Sequence, residues 1–240
     1  MLFKLLDKLN GKIHTTIFML CSLTYVYLTF FNFTFTEWLT ATLGGLMIFG
    51  VVISAYYHRY CSHRSYKMPR WAELIMLYGS TAMLQQPAMG WAATHISHHK
   101  HADQEGDPHG HMHSLLDNFL VFNKVPPIRT VPRWMFRDKA YLIQANFYWE
   151  IAIVLLAILF ATIGWKYVVS FIAITYLSQI IVNISGHTKE LQLHNNELMS
   201  VPLMGEMYHG SHHWKPNNPK FGRFDIPYYL LIKWLNKISG

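Results

Sequence analysis

The chain is short of charge. Asp, Glu, Lys and Arg make up 14% of its 240 residues, where ordinary soluble domains carry about 25%. Side chains this sparsely charged cannot clothe a compact body in water, which argues against disorder, coiled coil and nucleic-acid modules. Cysteine is almost missing as well. Cys21 sits in an apolar run and Cys61 beside histidines. Without a C-x2-C pair or an evenly spaced framework, no disulfide scaffold or zinc ribbon is expected. Acidic residues number 13, fewer than the 15 histidines, and with 20 Lys and Arg the formal net charge is +7. The cations flank apolar runs instead of lining one polar face, so nucleic acid is not an expected partner. No small-residue cleavage site follows the first apolar run, which is therefore read as a retained helix and not a removable signal.

What the chain has instead is apolar length, with 52% hydrophobic residues. Spanning a bilayer takes about 20 of them in one helix. Four stretches qualify, roughly 13–33, 38–57, 143–165 and 167–185, joined pairwise by turns at 32–37 and 164–166. The expected fold is an all-α integral membrane protein with four transmembrane helices in two hairpins. A fifth run, 74–84, has about half the needed length and ends in Gln85-Gln86-Pro87, so it is expected in the interface or against the cap. With four spans, three cations precede the first span, ten lie between Arg59 and Lys139, six follow from Lys189, and only Lys166 is opposite. That asymmetry marks the richer side as cytoplasmic. It assembles 58–142 and 186–240 into one cytoplasmic cap on the stem, making 1–240 a single domain of a multi-pass protein of a bacterial inner membrane or the endoplasmic reticulum.

The histidines gather in that cap. His58 and His63 form an H-x4-H pair at the end of the second span. His95, His98 and His99 form H-x2-H-H, a pattern repeated by His209, His212 and His213. On a helix, positions i, i+3 and i+4 share a face, so each triplet can direct three imidazoles inward. His58 and His63 are about 140° apart on a regular helix. Either the helix ends between them or they serve two different metals. Neutral imidazole is the commonest ligand for iron, zinc and copper, and eight histidines exceed the four to six donors of one ion, which argues for two. His187 lies one turn beyond Asn183 at the end of the fourth span. There Asn183 serves either as an interhelical hydrogen bonder or as an outer ligand holding water.

Taken in order, His58-x4-His63, His95-x2-His98-His99 with Asp107-Pro108-His109, Asn183-x3-His187 and Gly205-Glu206-x2-His209-x2-His212-His213 resemble the membrane fatty-acid desaturase superfamily, most closely its acyl-CoA delta-9 branch. The resemblance covers about 160 residues. It implies two non-haem irons (Fe2+/Fe3+) held in the cap by the nine histidines, with Asn183 acting through water. It also implies a reaction with O2 as co-substrate that introduces a double bond into a long acyl chain carried by CoA, another thioester or a lipid. No haem-binding His-Pro-Gly-Gly signature occurs, so electrons are expected from a separate ferredoxin or cytochrome b5 with its reductase. Ala92-Ala93-Thr94 stand before His95 where acyl-CoA members commonly carry an Arg-Asp pair.

The carboxylates Asp103, Asp107 and Glu206 are placed to accept the second N–H of metal-bound imidazoles. His101, His109, His111 and His113 fit no motif and are assigned surface or supporting roles, while His14 and His194 carry no argument. Gly45 and Gly50, with Gly44, let helices approach closely and are alternatively read as setting tunnel depth for the acyl chain. Two competing activities accompany this reading. One is a related di-iron hydroxylase, acetylenase or decarboxylase, and the other is a membrane metal transporter, for which the spans carry few ionisable groups away from their ends.

Overall fold

The computed structural model describes residues 12–110, 113–120, 128–187 and 195–239. His111 and His194 lie outside them. The described residues form twelve α-helices, α1 (Lys12–Phe31), α2 (Phe35–Ile48), α3 (Arg70–Gly79), α4 (Ala88–His101), α5 (Leu115–Phe119), α6 (Arg133–Arg137), α7 (Lys139–Asn146), α8 (Tyr148–Ile163), α9 (Trp165–Ser185), α10 (Glu197–Ser200), α11 (His209–Trp214) and α12 (Lys233–Ile238). A π-helix, Phe49–Ser62, continues α2 without a break, and a shorter one, Tyr228–Ile232, leads into α12.

Three helices among the described residues are long and apolar enough to cross a membrane: Ile13–Phe31, Phe35–Ser62 and Trp165–Ser185. Their outward side chains include Leu20, Leu23, Phe30 and Phe31, a surface suited to lipid and not to water. The stretch expected to be a third continuous span, 143–165, is instead broken. α7 meets α8 at an angle of 78°, leaving 16 straight residues, about 24 Å of rise. Asp138 caps the start of α7 by accepting the N–H of Ala140. Arg70 of α3 grips the same carboxylate at 2.6 and 2.8 Å and pairs with Glu73 at 2.8 Å, tying the start of α7 to α3.

The connections follow local chemistry. Between α1 and α2, Thr34 and Glu37 form a reciprocal capping box. Gly164, at φ +84°, turns the chain directly from α8 into α9. Gly44 and Gly45 let α2 lie against Phe171 and Ile174 of α9, where an added Cβ would come within 2.7 Å of each side chain. The run 74–84 does not cross. It divides into α3 and a short 3₁₀ turn that ends at Leu84 in a left-handed conformation, and α3 exposes Trp71 and Ile75 while burying Ala72 and Leu77.

Candidate metal centre

Four elements deliver the nine motif histidines. His58 lies in the π-helix and His63 just past its end, α4 carries His95, His98 and His99, the end of α9 leads to His187, and α11 carries His209, His212 and His213. They separate into two groups. His58, His63, His95, His99 and His212 converge in one, and His98, His187, His209 and His213 in the other, the ligand atoms of each lying within 4.8 Å of one another. The groups abut where the rings of His99 and His213 stack at 4.2 Å.

Helical winding explains the partition. In each triplet the i and i+4 residues point to one group and the i+3 residue, roughly 60° from the first and 100° from the second around the axis, points to the other. His95 and His99 thus join the five-histidine group while His98 joins the four. His209 and His213 join the four while His212 crosses to the five. The alternatives left for His58 and His63 resolve in favour of one shared group. The i→i+5 winding of the π-helix sets residue i near the face of i+5, so the pair that diverges on an α-helix converges here.

The ring nitrogens have the chemistry of a ligand set. His58 Nδ1–H donates to Glu206 Oε2 at 2.6 Å, His98 Nδ1–H to Asp107 Oδ1 at 2.8 Å, and His187 Nδ1–H to Asp103 Oδ2 at 2.9 Å. Each bond leaves the Nε2 lone pair free, and each of those lone pairs meets another imidazole nitrogen. The Nε2–Nε2 separations are 2.8 Å for His58–His212, His99–His212 and His63–His95, and 2.9, 3.1 and 3.2 Å for His187–His209, His209–His213 and His98–His213. Facing lone pairs repel unless a cation lies between them. With metal–nitrogen bonds of about 2.1 Å, ligands at right angles stand about 3 Å apart. The donor set therefore fits two bound metal ions.

The protonation states agree. Burial pushes His63 down to about 2, with the neighbouring His58 ring adding to the effect, and burial followed by His98 and His187 does the same to His213. Burial and neighbouring imidazoles also hold His95, His209 and His212 far below the ordinary range. All are neutral at pH 7, as metal binding requires. Burial raises the Glu206 carboxyl, but His58, Arg59 and the Ser54 hydroxyl together outweigh it and keep Glu206 below its ordinary value.

Glu206, Asp107 and Asp103 each accept from one motif histidine. Asn183 lines a narrow cavity with His58, His95, His209 and Glu206, closed on its apolar side by Phe49, Ile53, Trp91 and Val182. Its Nδ2 is buried without a protein acceptor. The same cavity takes in His109, which sequence spacing passed over. That ring is buried against His98 at 4.1 Å, and its signal was the Asp-Pro-His sequence, since Asp107 also accepts the His109 backbone N–H. His113 donates Nε2–H to the Asp107 carbonyl and His101 is exposed. His14 is buried in α1 beside Tyr148 and Trp149. Gly45 and Gly50 line no part of this cavity. Gly45 closes on Ile174 and Gly50 on Met204, so an added side chain at either position meets packed neighbours.

A model of the fatty acid desaturase family matches residues 36–238, spanning all nine motif histidines. The chain belongs to the fatty acid desaturase family. Among curated relatives it is 30% identical over 220 residues to an sn-1 stearoyl-lipid 9-desaturase of Synechocystis, covering 83% of this chain and 69% of that protein. It is 27% identical to a probable chloroplastic lipid desaturase of Arabidopsis thaliana over 81% of this chain and 60% of the relative. Over 48% of this chain and 33% of the relative it is 33% identical to delta-9 acyl-lipid desaturase 2 of the same plant. The chain therefore falls with the delta-9-like branch, while spanning less than two thirds of two of these three relatives.

Proposed function

We propose that this desaturase introduces a double bond into a long acyl chain, using O2 and two iron ions. The observation that carries the reading is the pair of histidine groups, five and four, abutting one apolar cavity. Removing hydrogen from an unactivated methylene is beyond acid–base side chains, and iron supplied with electrons and O2 provides the required oxidant. The protein's own residues do the rest. His58, His63, His95, His99 and His212 hold one ion and His98, His187, His209 and His213 the other, with the Asn183 amide holding a water beside the second. Glu206, Asp107 and Asp103 fix ring orientation and tautomer. Phe49, Ile53, Trp91 and Val182 shape a water-poor path along which the chain reaches both groups.

The acyl carrier is proposed to be a membrane lipid. The relatives named for a substrate act on acyl lipids, and Ala92-Ala93-Thr94 offer no charge for a CoA headgroup beside His95. The bent pair α7–α8 is taken as the fourth span, so that 1–240 forms one domain. The cap, with its excess of Lys and Arg, faces the cytoplasm of a bacterial cell or the outside of the endoplasmic reticulum. Electrons then come from a separate soluble or membrane-tethered carrier, a ferredoxin or a cytochrome b5. Expression in a host deficient in desaturation, followed by mass spectrometry of its lipids, tests the proposal. A new double bond that disappears in His212→Ala, whose Nε2 meets both His58 and His99, is the expected result. Added oxygen or unchanged lipids would contradict it.

A further inference from the structure

Arg59 reads in the sequence as one more flanking cation, but the structure buries it completely, at 0% exposure, the largest side chain so enclosed among the described residues. Its Nη1 lies 3.0 Å from Asp225 Oδ1 and its Nη2 3.7 Å from Glu206 Oε1, and the guanidinium rests 3.7 Å over the Phe221 ring. Both carboxylates are buried too. Asp225 is anchored by the backbone N–H groups of Phe221 at 2.7 Å and Tyr228 at 3.2 Å. Glu206 accepts from Ser54 Oγ at 2.5 Å and from His58 Nδ1 at 2.6 Å. A continuous buried chain therefore runs from the C-terminal segment through Asp225, Arg59 and Glu206 to His58.

We propose that Arg59 and Asp225 are positioning residues for the five-histidine group, clamping Glu206 so that His58 is held with Nε2 free for the metal. Three observations support this. First, two carboxylates against one guanidinium leave one negative charge buried beside His58, which a cation held by that ring compensates; without such a cation the surplus is costly. Second, Glu206 sits on a tight turn that carries Gly205 at φ +85°, where an added Cβ would approach the Asp225 backbone to 3.1 Å, so Glu206 and Asp225 are set against each other by close backbone packing. Third, the two groups are supported differently. Asp107, behind His98, is held by the backbone N–H groups of Asp103 and His109, and among the described ion pairs no arginine reaches it. Disturbing the Arg59–Asp225 pair should thus affect one group and spare the other.

The inference rests on the metal-binding reading above, and cobalt(II) titration of the full-length protein in detergent, followed by its ligand-field absorption, separates the two. Wild type should take up two ions in two classes of site. The double variant Arg59→Met/Asp225→Leu removes the pair without orphaning either charge from the other. It should weaken one class roughly 10- to 100-fold, alter that class's absorption and leave the second unchanged. Asp107→Asn should weaken the other class alone, and Asp225→Asn, which keeps the volume, should reproduce the first effect in milder form. Wild-type affinity for both ions in the double variant and in Asp225→Asn, or an equal loss from both classes, would overturn the positioning role. Wild type that binds no cobalt would overturn the metal-centre reading itself.

Discussion

At the scale of single residues, imidazole is kept neutral and oriented. Nine motif histidines were legible because ligation demands several donors on one helical face and the triplets supply them. What spacing could not show is which imidazole serves which group, because each group is assembled from elements far apart in sequence. Nor could it show Arg59 as anything but a flanking cation, since burial is a property of the fold. The depressed pKa values predict a pH dependence. His63 and His213 titrate near 6.5 when unfolded and near 2 when folded. Between those values the unfolded chain binds more protons, so stability rises with pH across the window and is lost as pH falls below about 6.5. The metal-free protein should show a denaturation midpoint that declines steadily from pH 7 to pH 5, measured by thermal unfolding in detergent. A flat midpoint over that range would mean these rings are not held neutral.

At the scale of elements, winding decides function. The hairpins, their turns and the non-crossing run 74–84 could be read from apolar length and capping residues. The bend at α7–α8 could not, because a continuous apolar run fits a straight helix and a broken one equally well. The π-helix was equally hidden. Its i→i+5 ladder is set by packing around a core that includes Tyr56, Tyr57 and Cys61, not by a propensity visible in 14 residues. The packing role of Gly45 gives a direct test. Gly45→Leu forces a side chain into Ile174, so it should cost about 1–3 kcal/mol of stability while leaving the length and double-bond position of the products unchanged. Stability can be followed by thermal unfolding and products by lipid mass spectrometry. A shortened product chain in a stably folded variant would support the tunnel-depth reading instead.

At the scale of the whole molecule, low charge and abundant histidine have a common cause. The apolar helices are of a length and composition suited to a bilayer, and the two histidine groups gather where the π-helix, α4, α9 and α11 meet. The π-helix and α9 bring His58 and Asn183 to the same cavity that Phe49, Ile53 and Val182 line, and α9 leads on to His187 in the four-histidine group. Desaturation and hydroxylation share their hydrogen-abstracting oxidant, and the balance of the reaction distinguishes them. The most direct measurement uses the purified full-length protein, loaded with iron and supplied with a reduced electron carrier, O2 and a saturated acyl lipid. High-resolution mass spectrometry of the acyl chain then reads the outcome. The account predicts a product lighter by two hydrogen atoms, formed only when iron, electrons and O2 are all present. A product heavier by one oxygen, or loss of hydrogen without iron, would contradict it.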